Sequence, residues 1–376
     1  MAFSRYGLIE DPDDKDGLPL GYVDDGTGGW VINCLQCHGG KVAGIVMPGL
    51  GNSHFAFKTF AEDVIKLRLS MGRKLSRREM TGLTIPLGRS NGTTNAQIFS
   101  EVFVSMRDEQ LEFRPDQGMP PLVHCDLDAP PLWNTSKKKR LYIDGFVEKS
   151  HRVIMQFILS PENDSSTIRG WEDDFRDILA WIESLEAPPY PWAIDHSLAE
   201  QGRTLFESNC AECHGTYGSE GTYPERTVAL DEIGTDVVRL RGMPKKHRQF
   251  FGRGWMSEEG ARSVIDQPKG YVAPPLDGIW ASAPYLHNGS VPTLWHLMHA
   301  ADRPAVWLRT EDGYDQQRVG LEVVEMDKIP PETPRGAERR RYFNTRLRSK
   351  SAAGHEFPEV LSEAEKRAVL EYLKTL

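Results

Sequence analysis

The sequence predicts a mainly α-helical fold with long loops, in two units that each open near a Cys-x-x-Cys-His motif. Three observations predict it. Apolar residues recur at helical spacing on either side of a proline-rich break, "EAPPYPW" at Glu186–Trp192. No segment carries sustained strand alternation. The chain also holds 34 glycines and 25 prolines in 376 residues, which asks for abundant loops.

The elements follow in order. Residues 1–29 are acidic and rich in Gly and Pro, and read as an arm leading into the first motif. From Ile168 onward, Trp171, Phe175, Ile178, Leu179, Ile182 and Leu185 make one apolar helical face. The prolines of Glu186–Trp192 cannot continue that helix, so they end a first unit, 1–186, and a second runs over 193–376. Ser197 with Glu200 three residues on has the form of a capping box, opening a helix that leads into Cys210. Ser362 and Glu365 repeat the device before a terminal helix whose stripe is Ala368, Val369, Tyr372, Leu373 and Leu376.

Bulk properties narrow the function classes. The net charge is -9, so the chain lacks the positive charge that binds nucleic acid. A basic protein partner is compatible with it. No run approaches the ~18 apolar residues of a membrane helix. The most apolar short segment, Val153–Leu159, has a Gln inside it. The first residues, "MAFSRYGLIEDPDDKDG", lack the basic and apolar regions of a signal peptide.

The five cysteines carry the chemistry. Cys34, Cys37 and His38 form one motif, and Cys210, Cys213 and His214 the other. Cysteines three apart on a helical turn face the same side. Two such thiols reach the two vinyl groups of one haem, and the following histidine meets the iron as an axial ligand. A structural zinc site wants its Cys pairs roughly 15–20 residues apart; His38 and His214 are 176 apart. Two covalently attached c-type haems are therefore expected. Covalent attachment belongs outside the cytoplasm, so the expected location is periplasmic or otherwise exported, with a leader already removed. Cys125 reads as a small buried side chain.

The opposite face of each iron decides between electron transfer and chemistry, because an open or labile face admits oxygen or peroxide. For the second haem the candidates are His355 in "SAAGHEF", Met298 in "TLWHLMH" and His287 in "APYLHNGS", with His355 preferred because Gly354 permits close approach to a flat ring. For the first haem His54, His151 and an open face stand level. Trp133 is a candidate for a position between or beside the haems, and a core role fits it as well. Lys137–Arg140 and Arg339–Arg341 read as solvated faces.

"PPLDGIWASAPYLHNGSVPTLWHL" resembles the signature segment of the bacterial di-haem cytochrome c peroxidase superfamily, including its rubber-oxygenase-like branch. "YGLIEDPDDKDGLPLGY", "APPLWNTSKKKRLYIDGF", "GHEF" and "EKRAVLEYLKTL" are similar to the same branch. The resemblance implies two cytochrome-c-like haem domains with haems near their interface, one haem relaying electrons and the other reacting. It implies His38 and His214 as proximal ligands, His287 in a pocket beside a haem, and His355 as a late-chain ligand. The function expected is a haem oxidoreductase of the peroxidase type. Its general acid–base group would be His54, His151 or a nearby Glu such as Glu148, and its redox partner a small cytochrome, a cupredoxin or a respiratory complex. A purely electron-transferring di-haem cytochrome and a haem-dependent dioxygenase are the alternatives.

Overall fold

The computed structural model describes residues 2–14, 17–75, 80, 83, 85–115, 118–258 and 263–376. The expected mainly α fold is corrected: the protein is an α/β mix, 37% helical and 15% strand. Thirteen short strands form six small antiparallel sheets among the described residues. Most strands are two to four residues long, too short for alternation to register in the sequence. The longest, Val306–Asp315, hides its period in another way. Val306 and Trp307 are both buried, and the pairing with Gly320–Met326 slips between Arg309 and Tyr314. Tyr342–Asn344 completes this three-stranded sheet, with Val306 opposite Asn344.

The longer helices follow the apolar spacing more closely. Ser165–Gly170 and Glu172–Ser184 are separate helices joined at Trp171, and Ile168 and Ile182 are buried. The terminal helix, Glu363–Leu373, begins with the full capping box of Ser362 and Glu365. The other capping box does not form. The helix His196–Asn209 is capped two residues earlier, where the Asp195 carboxylate accepts from the Ser197 and Leu198 backbone N–H groups. A carboxylate caps a helix N-terminus at least as well as a hydroxyl, so the earlier residue takes the role.

Nor does a layout of two cytochrome domains emerge. Two hydrophobic cores exist, and each draws on both sides of the proline-rich break. One joins Val42, Met47, Leu50 and Trp133 to Trp280, Leu294, Trp307 and the terminal helix. The other joins Ile98, Val102, Phe146 and Ile168 to Met243, Phe251 and Trp255. The break itself packs down: Tyr190 and Trp192 meet Trp280, and Trp192 stacks on Tyr314. Cys210 and Ala211 of the second motif pack against the first of these cores, which Val42 and Met47, just after the first motif, also enter.

The helices His196–Asn209 and Glu363–Leu373 close against each other at Gly202, where a Cβ would overlap the Ala368 backbone carbonyl. Alanine raises intrinsic helix propensity by about 1 kcal/mol over glycine. Gly202→Ala is nonetheless expected to lower stability by roughly 1–3 kcal/mol through overpacking, read as a shift in the urea midpoint.

Candidate functional site

Each motif is a single helical turn. Leu35–His38 and Ala211–His214 are four-residue helices, with Cys34 and Cys210 at their N-caps. The His38 and His214 backbone N–H groups return to the Cys34 and Cys210 carbonyls, each at 3.0 Å. Both cysteines of each pair are thereby fixed on one turn ahead of the histidine. All four motif thiols are free. Burial pushes the Cys37 thiol up to about 12 and that of Cys210 to about 11, which disfavours the thiolate a metal-binding cysteine needs.

The imidazoles are held alike. His38 Nδ1 lies 3.0 Å from the Pro130 carbonyl oxygen and His214 Nδ1 2.8 Å from that of Pro274. A carbonyl only accepts, so Nδ1 carries the proton in each ring and Nε2 keeps a lone pair. Burial lowers both ring pKa values, which keeps the rings neutral. A hydrogen bond at one ring nitrogen is what fixes the tautomer and orientation of a metal-ligating histidine. The two acceptors lie in matching sequences, "APPLW" at 129–133 and "APPLD" at 273–277. That short repeat was the available signal for these partners, and the sequence reading missed it.

The two proline segments are bolted together. Trp133 Nε1 donates to the Asp277 carbonyl at 2.7 Å, and Asn134 Nδ2 to that of Pro275 at 3.1 Å. Trp133 is buried, and a Cβ at Gly278 would come within 3.1 Å of its ring. On its other side, the Gly49 carbonyl accepts from Leu132 N–H while Gly49 N–H donates to the His38 carbonyl. Trp133 thus stands between the surroundings of the two motif histidines.

His214 faces a second imidazole. The ring centroids of His214 and His355 are 6.2 Å apart, with 60° between the planes. Two imidazoles bonded at about 2 Å to opposite sides of one intervening metal ion have centroids about 6 Å apart. The gap fits. His355 Nδ1 is buried without a hydrogen-bond partner, and burial, with His214 and Arg303, pushes the ring down to about 3, so it is neutral. His355 and Gly354 both have left-handed backbone, φ 53° and 80°. A Cβ at position 354 would overlap Gly234 and Ile233, so glycine is required there.

Arg303 holds this strap. Its guanidinium donates to the carbonyls of Ala352, Gly354 and His355, and also to those of His296 and Leu297. Asn288 Nδ2 binds the Ser349 and Ser351 carbonyls, and Ser290 Oγ binds that of Ser351. The "YLHNGS" stretch therefore acts through its Asn and Ser, as a clamp on the chain that presents His355. An arginine with only carbonyl partners has no carboxylate to reveal it in a sequence, and Arg303 went unnoticed there.

The other candidates are dispersed. His287 lies against Tyr271, with ring centroids 4.6 Å apart, and burial with Arg239 takes it down to about 3. Met298 is buried in the first core at the end of Leu294–Met298. His54 presents a buried, unpartnered Nε2 beside a cavity of about 420 Å³ that Ser53, Arg309 and Trp307 also line. Burial, then Arg309 and Lys41, pushes its pKa well down. His151 Nε2 is 3.2 Å from the Glu172 carboxylate, which Arg152 and Trp255 also bind, so it sits in a polar knot against the second core. Glu148 accepts from Ser263 N–H. Among the described residues no second imidazole faces His38 as His355 faces His214. Of the basic runs, Lys137 pairs with Asp277 and Arg340 with Glu62. Cys125 is buried, 3.8 Å from Gln97 Oε1. Glu101, hydrogen-bonded to Gln97, is a buried carboxyl that burial pushes up to about 7; a Glu inside an apolar helix gave no sign of this in the sequence.

Residues 270–308 match the RoxA-like, cytochrome c-like family. That span holds Pro274, Asp277, the Asn288–Ser290 clamp, Met298 and Arg303. It gives the chain a c-type cytochrome character and implies haem c as a cofactor. Two proteins of Sinorhizobium fredii (strain NBRC 101917 / NGR234) are similar over longer stretches. "Uncharacterized protein y4iM" is 28% identical over 283 residues, 66% of this chain and 64% of that protein. "Uncharacterized protein y4iJ" is 28% identical over 247 residues, 49% of this chain and 39% of that protein. The chain thus spans less than two thirds of either relative. No helix among the described residues is long and apolar enough to cross a membrane.

His287 gives a signed pH dependence. It stays neutral in the fold down to about pH 3, whereas an unfolded histidine takes up its proton near 6.5. The unfolded state binds more protons between those values, so stability falls as the pH drops from about 6.5 towards 3, by up to about 1.4 kcal/mol per unit. Urea unfolding at stepped pH checks this, and His287→Gln should flatten the slope.

Proposed function

We propose that the chain is a di-haem c-type oxidoreductase of the peroxidase kind, acting outside the cytoplasm, with one closed relay site and one open reaction site. The carrying observation is the asymmetry between the motifs: His214 faces His355 at 6.2 Å, and His38 has no such partner among the described residues. Cys34 and Cys37 would anchor one group, and Cys210 and Cys213 the other. His38 would hold the iron of the first group, and His214 and His355 that of the second. When bound, haem c supplies a one-electron centre and, where an axial position is open, a place for peroxide or oxygen to react.

The chain's own residues do the rest. The Pro130 and Pro274 carbonyls keep the Nδ1 proton on His38 and His214 and aim Nε2. Arg303 and Asn288 hold His355 opposite His214. Trp133 fills the space between the proline segments with an aromatic ring, a suitable path for an electron. His54, with Arg309 beside its cavity, supplies a neutral base and a fixed cation near the first motif. A general acid–base group has to be within hydrogen-bond reach of the bond it helps to break, and His54 is the candidate for that role. The donor would be a small redox protein.

Carbon monoxide added to the reduced protein tests the reading. We expect a Soret shift from one haem only, and from both in His355→Ala. No shift from either would leave an electron carrier with both sites closed. Trp133→Phe is expected to slow electron exchange between the sites while both spectra stay unchanged, as read by flash photolysis.

A further inference from the structure

We propose that the ribbon Tyr22–Ile32, beside Cys34, is the docking surface for a small basic electron-transfer protein. The inference rests on the reading of Cys34, Cys37 and His38 as a haem site.

The ribbon is two strands, Tyr22–Asp24 and Trp30–Ile32, with Val23 opposite Val31 and Tyr22 opposite Ile32. Cross-strand partners share a face, so Val23 and Val31 lie on one side and Trp30 and Ile32 on the other. All four are exposed, Trp30 by 65%. On the Trp30 face only Tyr22 packs down, against Phe60; Val23, Val31, Trp30 and Ile32 stay exposed, which is unusual for four large apolar side chains in one place and marks a protein-binding surface. Trp is also among the residues enriched at interface centres.

A two-stranded ribbon alone is marginally stable. This one is tied to the first motif. Asn33 N–H donates to the Gly21 carbonyl and Asn33 Nδ2 to that of Leu20, while Asn33 Oδ1 accepts from Leu35 N–H, the first residue of the motif helix. Gly21 packs so tightly on Gln36 that a Cβ there would overlap it. Ile32 precedes Cys34 by two residues, at most about 7 Å along the chain. Cys34 is the exposed cysteine of the four in the motifs. A protein seated on the ribbon would sit against the edge of the first site and exchange electrons with it directly, without passing through the relay site.

Charge selects the partner. Residues 10–25 hold Glu10, Asp11, Asp13, Asp14, Asp16, Asp24 and Asp25 against Lys15 alone. Glu10, Asp13, Asp24 and Asp25 are exposed. Asp24 lies in the ribbon itself, and the arm of residues 10–14 is bridged at Glu10 to Pro19 just before it; an apolar centre so flanked repels a second copy of this chain and any anionic surface, and attracts a lysine-rich protein. Such charge chiefly speeds encounter, with a steep salt dependence. Redox encounters of this kind are small and short-lived.

The test uses the holoprotein and a lysine-rich single-haem cytochrome c as probe. Affinity is titrated with the zinc-substituted, redox-inert probe, and electron exchange is followed by stopped flow. We expect Trp30→Ser with Val31→Ser to weaken binding roughly tenfold and to slow exchange, with both haem spectra and reduction by a small uncharged reductant unchanged. Asp13→Asn with Asp24→Asn should flatten the salt dependence. Val360→Ser, at the exposed apolar position near His355, should change nothing. Unaltered binding in the ribbon variants overturns the proposal, as does a loss in Val360→Ser instead. So does a wild-type dimer, seen by sedimentation, that Trp30→Ser dissociates. These readouts are independent of the carbon monoxide shift, so docking on the ribbon holds or fails separately from the open-site reading.

Discussion

The site depends on one hydrogen bond, made twice: a motif imidazole donating through Nδ1 to a proline carbonyl. Without it the ring of His38 or His214 is free to rotate or change tautomer, and Nε2 no longer points in a fixed direction. Proline suits the acceptor position for a physical reason. It has no N–H of its own and a locked φ, so Pro-Pro runs stay extended and present carbonyls outward. The two runs are crossed by Trp133 and Asn134, so the direction of one ring is referred to the same frame as the other.

The second layer holds His355. A residue with positive φ, following a glycine with positive φ, is costly to keep in place, on the order of 1 kcal/mol or more. Arg303 and Asn288 over-determine it through five carbonyl bonds to the strap, from Ser349 to His355. This gives the "YLHNGS" stretch a mechanical role. It clamps the presenting segment at Ser349 and Ser351 while Arg303 clamps it at Ala352, Gly354 and His355.

The sequence disclosed whatever depends on local spacing. The two Cys-x-x-Cys-His turns, the break at Glu186–Trp192 and the terminal capping box are all short-range, and all are legible. It misled where two residues compete for one role, as Asp195 and Ser197 do at the helix His196–Asn209. The sheets were hidden by brevity and by the slip after Arg309. The partnerships of Pro130, Pro274 and Arg303 are backbone contacts across 92, 60 and about 50 residues, and no residue type announces a carbonyl acceptor. The repeated "APPL" was visible, but its meaning required the fold.

The choice of a carbonyl over a carboxylate at the back of each ring has one more consequence. A carboxylate can share or accept the Nδ1 proton when the charge on the far side of the imidazole changes; an amide oxygen is far too weak a base to do so. In the proposed reading, gaining or losing an electron therefore leaves the protonation of His38 and His214 untouched. The rings transmit a change of charge without answering it. Any coupling between electron and proton uptake has to be built elsewhere in the chain, in groups such as His54 or Glu101 that have no fixed covalent neighbour in the motifs.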